Sequence, residues 1–180
     1  MLSTGDAVPE VVLDPVFGRA LTLPADLSAR PLAVVFVGGL SMPRTRAILS
    51  GLQDAYADLD RAGVQLVAVT GSEMDRARDF VPRFHLLYPL VVDADGALRD
   101  RFGLSAGQGV GDVLRGWMHD MRQIREIARW GRGMPEAGAA ARPAWFVLGV
   151  DGCVAAAHAG APDPTALVSA ACAALSPSSG

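Results

Sequence analysis

Apolar residues in this chain alternate between short unbroken runs and longer stretches with helical spacing, the pattern of buried strands joined by amphipathic helices. Val11 to Leu13 and Ala20 to Leu23 flank Asp-Pro and Phe-Gly turn signals and predict an N-terminal hairpin. Leu32 to Val37 is continuous and rich in β-branched residues, which predicts a central strand buried on both faces of a parallel sheet. It ends at Gly38-Gly39. Pro43 then stands where a first helical residue belongs, since its missing N–H has no partner there anyway. Ile48, Leu52, Tyr56 and Leu59 follow at helical spacing and Gly63 closes the helix.

Val64 to Thr70 reads as a second buried strand. Ser72 with Asp75 three positions later forms an approximate capping box, opening a helix that carries Met74, Ala77, Phe80, Val81 and Phe84. A right-handed crossover makes the two strands parallel neighbours, with their carboxyl ends on one edge of the sheet. Leu90 to Val92 is a third strand, and Asp93 starts a short helix that stops at Gly103. Later, Trp145 to Leu148 and Val154 to Ala157 flank Asp151-Gly152, a hairpin signal. A last helix, Pro164 to Leu175, offers Leu167, Val168 and Leu175 to the sheet, and Ser176 to Gly180 read as a frayed tail.

Between these elements Val110, Val113, Leu114, Trp117, Met118, Met121, Ile124 and Ala128 make a stripe at i, i+3, i+4, i+7, which predicts a long amphipathic helix over about 109–130. The Gly-rich stretch Trp130 to Ala141 behind it reads as a mobile loop. The stripe serves as core cover, as the face of a homodimer, or as the wall of an apolar pocket with Trp130 as lid. The whole reads as one domain over 1–180 with an insertion at about 105–141.

The 180 residues are 51% hydrophobic, enough for one compact core. A net charge of −3 argues against nucleic acid as a partner. All 16 basic residues are Arg, so Schiff-base lysine catalysis and a phosphate-loop lysine are excluded. No run approaches the roughly 18 apolar residues of a membrane span, so the expectation is a soluble, cytoplasmic protein without a membrane partner. Cys153 and Cys172 are the two cysteines; neither spacing nor number supports a disulfide framework or a zinc site. Asp93 and Asp95 are explained as helix-start carboxylates, and neither a metal nor a cofactor is expected.

Taken in order, Gly5-Asp6-Ala7-Val8-Pro9, the strand-turn-helix from Val34 to Leu52, Val64 to Thr70, Tyr88 to Asp93, Arg101-Phe102-Gly103-Leu104, and Arg142 to Val147 with Asp151-Gly152 resemble the peroxiredoxin-like alkyl hydroperoxide reductase and thiol-specific antioxidant family. The resemblance implies a thioredoxin-like α/β fold, a central mixed sheet flanked by helices. In that family the turn after the central strand carries Cys-Pro or Cys-x-x-Cys, its thiolate stabilised by the helix N-terminus. Here the turn reads Ser41-Met42-Pro43-Arg44-Thr45-Arg46. Met42 stands where the attacking cysteine belongs and Thr45 where a second would be. A thioether cannot ionise, so the family's thiol chemistry does not carry over. The resemblance also implies that Pro143 is a cis-proline facing this turn.

What remains is a helix N-terminus at the carboxyl edge of a sheet, an anion site in its own right. Arg44 and Arg46, with the hydroxyls of Ser41 and Thr45, either bind a carboxylate-like group there or serve as a plain surface turn that Ser41 caps. Met42, Pro43, Trp117, Pro143 and Trp145 complete the candidate ligand-binding set; Ser41, Arg44, Thr45 and His119 are the catalytic candidates. Of the three histidines, His85, His119 and His158, His119 beside Asp120 is an acid or base candidate or a surface histidine. Cys153 and Cys172 read as small buried residues, with a relocated redox role as the alternative. Three functions follow: a non-redox enzyme or small-molecule-binding protein of a biosynthetic pathway with an anionic ligand, a thiol or peroxide oxidoreductase using Cys153 or a cofactor, and a non-catalytic partner protein that dimerises through the 109–130 helix.

Overall fold

A computed structural model describes residues 1–28, 30–104 and 141–175. The insertion at about 105–141, its stripe helix, Trp117, His119, Trp130 and the Ser176 to Gly180 tail lie outside the described residues, apart from Ala141.

The first strands, β1 (Val11–Leu13) and β2 (Leu21–Leu23), pair antiparallel as the predicted hairpin. The main sheet contains β3 (Leu32–Val37), β4 (Gln65–Thr70), β5 (Leu90–Val92), β6 (Ala144–Leu148) and β7 (Val154–Ala159) in the order β5-β4-β3-β6-β7. Every residue of β3 is buried, as its continuous apolar run requires. On one side β4 pairs with it in parallel, Leu32 to Gln65 through Val37 to Thr70; on the other β6 pairs antiparallel, Leu32 to Leu148 through Phe36 to Ala144. The crossovers are α1 (Pro43–Arg61) and α2 (Met74–Phe84), followed by α3 (Ala97–Arg101) and the last helix α4 (Pro164–Ala174).

Strand side chains alternate between two cores. Ala33, Val35, Val37, Trp145 and Val147 meet Leu49, Leu52 and Leu59 of α1, Ala77 and Phe80 of α2, and Leu167 and Ala171 of α4. The other face packs Leu32, Val34, Phe36 and Phe146 against Leu13, Leu23, Leu27 and Phe102. There Phe36, Phe102 and Phe146 form a ring cluster with centroids 5.0, 5.1 and 6.0 Å apart.

Several local readings shift. The N-cap of α2 is Glu73 rather than Ser72, and it makes no side-chain cap; the Ser72 hydroxyl accepts a hydrogen bond from the Leu40 N–H at 2.8 Å. The short helix starts at Ala97 rather than Asp93, since Gly96 at φ 78° breaks the chain direction before it. Asp93 still serves that helix, accepting from the N–H groups of Leu98 and Arg99 at 2.8 and 3.0 Å, and Asp95 accepts from Ala97. On α4 the buried face is Leu167 and Ala171, spaced i, i+4, and Leu175 is exposed. Asp163 caps that helix by accepting from the Thr165 N–H.

Candidate functional site

The carboxyl end of β3 delivers the chain into Gly38-Gly39-Leu40-Ser41-Met42 and from there into α1. This loop is held from β4. Thr70 Oγ1 donates to the Gly38 carbonyl at 2.9 Å, and Ser72 Oγ accepts from Leu40, both pairs fully buried. From the helix side, Arg46 Nε donates to the Leu40 carbonyl at 2.9 Å. Each polar group of the turn that is tied down leaves the head of α1 in a fixed place.

That head is uncapped. The N-cap is Met42, in extended conformation and with no side-chain hydrogen bond, and Pro43 occupies the first helical position. Ser41 therefore does not cap the helix, against the reading of this turn as a plain surface turn that it caps. Its Oγ is buried and has no hydrogen-bond partner. The N–H groups of Arg44 and Thr45 also lack an acceptor among the described residues, as the first turn of a helix leaves them without a partner of its own. No acidic residue lies in this turn.

The candidate cations diverge. Arg46 folds back over the loop and lies with its guanidinium 5.7 Å from the Phe84 ring centre, so it belongs to the α1–α2 side. Arg44 is exposed and lines a groove on the α1–α4 side. Thr45 is buried at 3% exposure within the helix contact face. Met42 and Pro43 are half-buried at the head itself.

Across the sheet edge, Pro143 leads into β6 and is buried. It is not the cis-proline that was expected: among the described residues the cis peptide is Leu23–Pro24, and Arg142–Pro143 takes the trans form that most X-Pro bonds adopt. Trp145, two residues on, is buried on the α1–α4 face, stacks on His158 with ring centres 5.5 Å apart, and has an Nε1–H without an acceptor. His85 ends α2 in the left-handed conformation at φ 50°.

Arg99 joins the two sides. Its Nη1 and Nη2 donate to the Arg142 carbonyl at 3.2 Å, and Nη2 reaches the Val37 carbonyl at 3.3 Å. The guanidinium lies over Phe36, 5.6 Å from the ring centre. Burial pushes its pKa down, opposed by the nearby Asp93 carboxylate. The chain pattern did not single out Arg99, and it gave Thr70 and Ser72 other roles, a strand end and a helix cap. Their partners are 32 to 62 positions away, and no spacing rule spans such a distance.

The cysteines lie elsewhere. Cys153 is half-buried in the β6–β7 turn, whose strand register sets it beside Leu32 rather than Val37. A strand rises about 3.3 Å per residue, so the six residues of β3 separate this turn from the head of α1 by roughly 17 Å. Cys172 is exposed on α4, against the buried reading, because Leu167 and Ala171 take the inward face.

A mixed sheet whose central strand runs into a helix head opposite a proline-led strand is the architecture of the thioredoxin-like class. Within that class, residues 4–157 match the AhpC/TSA family, and the chain belongs to it. Among curated proteins it is 25% identical over 105 residues to the chloroplastic peroxiredoxin Q of Oryza sativa subsp. japonica, covering 58% of this chain and 48% of that one. The chain thus spans about half the length of the curated relatives it matches. Peroxidoxin BcpB of Mycobacterium tuberculosis superposes with a TM-score of 0.69 at 19% identity, covering 97% of each chain. The bacterioferritin comigratory protein of Xanthomonas campestris does so at 0.64 and 20%, covering 94% of this chain and 97% of that one.

Proposed function

We propose that this AhpC/TSA family member works without a redox cysteine, as a non-redox enzyme or small-molecule-binding protein of a biosynthetic pathway whose anionic ligand meets the head of α1. The observation that carries the proposal is the Ser41 hydroxyl, buried without a hydrogen-bond partner beside two free N–H groups at an uncapped helix start. An unmet buried hydroxyl costs about 1–3 kcal/mol, and a ligand oxygen offsets that cost. The same donors would bind a carboxylate; with no thiol in the turn they activate no nucleophilic sulfur.

The family's thiol chemistry is the competing reading, favoured by relatives named peroxiredoxins. It would have to run through Cys153 or Cys172, neither of which opens a helix or adjoins the α1 head. Peroxide consumption in the presence of a dithiol separates the two. The expected result is no turnover above buffer for the wild type and for Cys153→Ser with Cys172→Ser; a cysteine-dependent rate would overturn the proposal.

A further inference from the structure

We propose that the groove between α1 and the β7–α4 connection holds the short apolar tail of a monocarboxylate whose head group pairs with Arg44. The inference rests on the reading of the α1 head as a ligand-binding end and adds the chemical class of the ligand.

The groove has a volume of about 340 Å³ and is walled by Arg44, Ala47, Ile48, Gly51 and Leu52 on one side and by Ala161, Pro162 and Pro164 on the other. Arg44, Ala47, Ile48 and Gly51 stand at i, i+3, i+4 and i+7, one stripe of the helix. Ile48 is only half-buried, at the margin of the core, because the inward face of α1 is taken by Thr45, Leu49, Leu52, Ala55 and Leu59. A side chain added at Gly51 would meet Pro164 Cγ at 3.6 Å.

Every wall residue but one is apolar, and the one charge is at the end nearest the helix start. Arg44 makes no hydrogen bond or ion pair with a described residue. It occupies the second helical position, where a cation opposes the helix dipole, and the first turn contains no carboxylate to compensate. The positive helix end and the guanidinium therefore add, which favours an anion and disfavours a cation. A volume near the lower end of the ligand-pocket range excludes large cofactors and fits a carboxylate with a short aliphatic or single-ring tail.

Titrations of the isotope-labelled full chain with acetate, octanoate and 1-octanol, followed by amide shifts, test this. Octanoate is expected to bind roughly tenfold or more tighter than acetate, since each buried methylene contributes a factor of about four, and to shift Ala47, Ile48 and Gly51. Arg44→Gln should weaken octanoate about fivefold and leave octanol unchanged. Ala47→Phe, at an exposed position, should abolish the gain from the tail; Ala161→Phe fills the groove from the opposite wall and replaces it where circular dichroism shows the first variant misfolded. If octanoate binds no tighter than acetate, or keeps its advantage in the filled variants, the tail groove is wrong and the anion site at the α1 head stands. If neither acid binds, both readings fall.

Discussion

Tyr88 shows how a single buried group couples this fold to pH. Its hydroxyl donates to the Leu49 carbonyl at 2.7 Å inside the α1 core, and burial pushes the phenol well above its ordinary value. The folded state therefore holds the proton more tightly than the unfolded state does. Its stabilising contribution is complete below the ordinary tyrosine pKa of about 10 and is lost as pH rises beyond it. Urea unfolding from pH 8 to 11.5 should show stability falling above about pH 10. Tyr88→Phe should lose about 1 kcal/mol at pH 8 and flatten that decline; an unchanged slope would show that Tyr88 is not its source.

At the scale of elements, the β3–α1 turn is shaped by β4 rather than by its own residues. Ser72 sits where a helix cap is expected, yet its hydroxyl serves the Leu40 N–H of a different loop. Ser72→Ala would leave that buried N–H without an acceptor, at a cost of about 1–3 kcal/mol. Hydrogen exchange at Leu40 should accelerate by a similar free energy while amides in the middle of α1 change only with global stability. Equal loss of protection everywhere would make Ser72 a plain core residue and not a tether. Arg99 works between elements in the same way, joining the end of β3 to the segment before β6.

For the whole molecule, the sheet divides two cores that meet only through its strands. Phe36 anchors the core opposite the helix pair, touching Phe102 and Phe146 at 5.0 and 6.0 Å between ring centres, while Arg99 covers its other side. Phe36→Ala should cost about 3–5 kcal/mol in urea denaturation. Because the ring lies under the Arg99 bridge, the loss should also loosen the Arg142–Pro143 approach, seen as faster exchange at Gly160, whose N–H donates to the Pro143 carbonyl at 2.8 Å. Among the described residues no helix is long and apolar enough to cross a membrane.

The β3 run, its parallel pairing with β4, the hairpins and the Pro43 helix start were all legible in the chain, because each depends on local periodicity and on which residues tolerate a turn. The absence of a thiol at the α1 head was equally plain from Ser41 to Arg46. Tertiary contact alone decided the rest: that Ser41 is buried and unmatched instead of capping, that Arg44 and Arg46 part to opposite sides, that Ile48 faces a groove, and that Pro143 is trans. Those outcomes depend on groups brought together from distant parts of the chain, Ser72 against Leu40, Arg99 against Val37 and Arg142, Pro164 against Gly51, and periodicity along one segment contains no information about what a remote segment will place beside it.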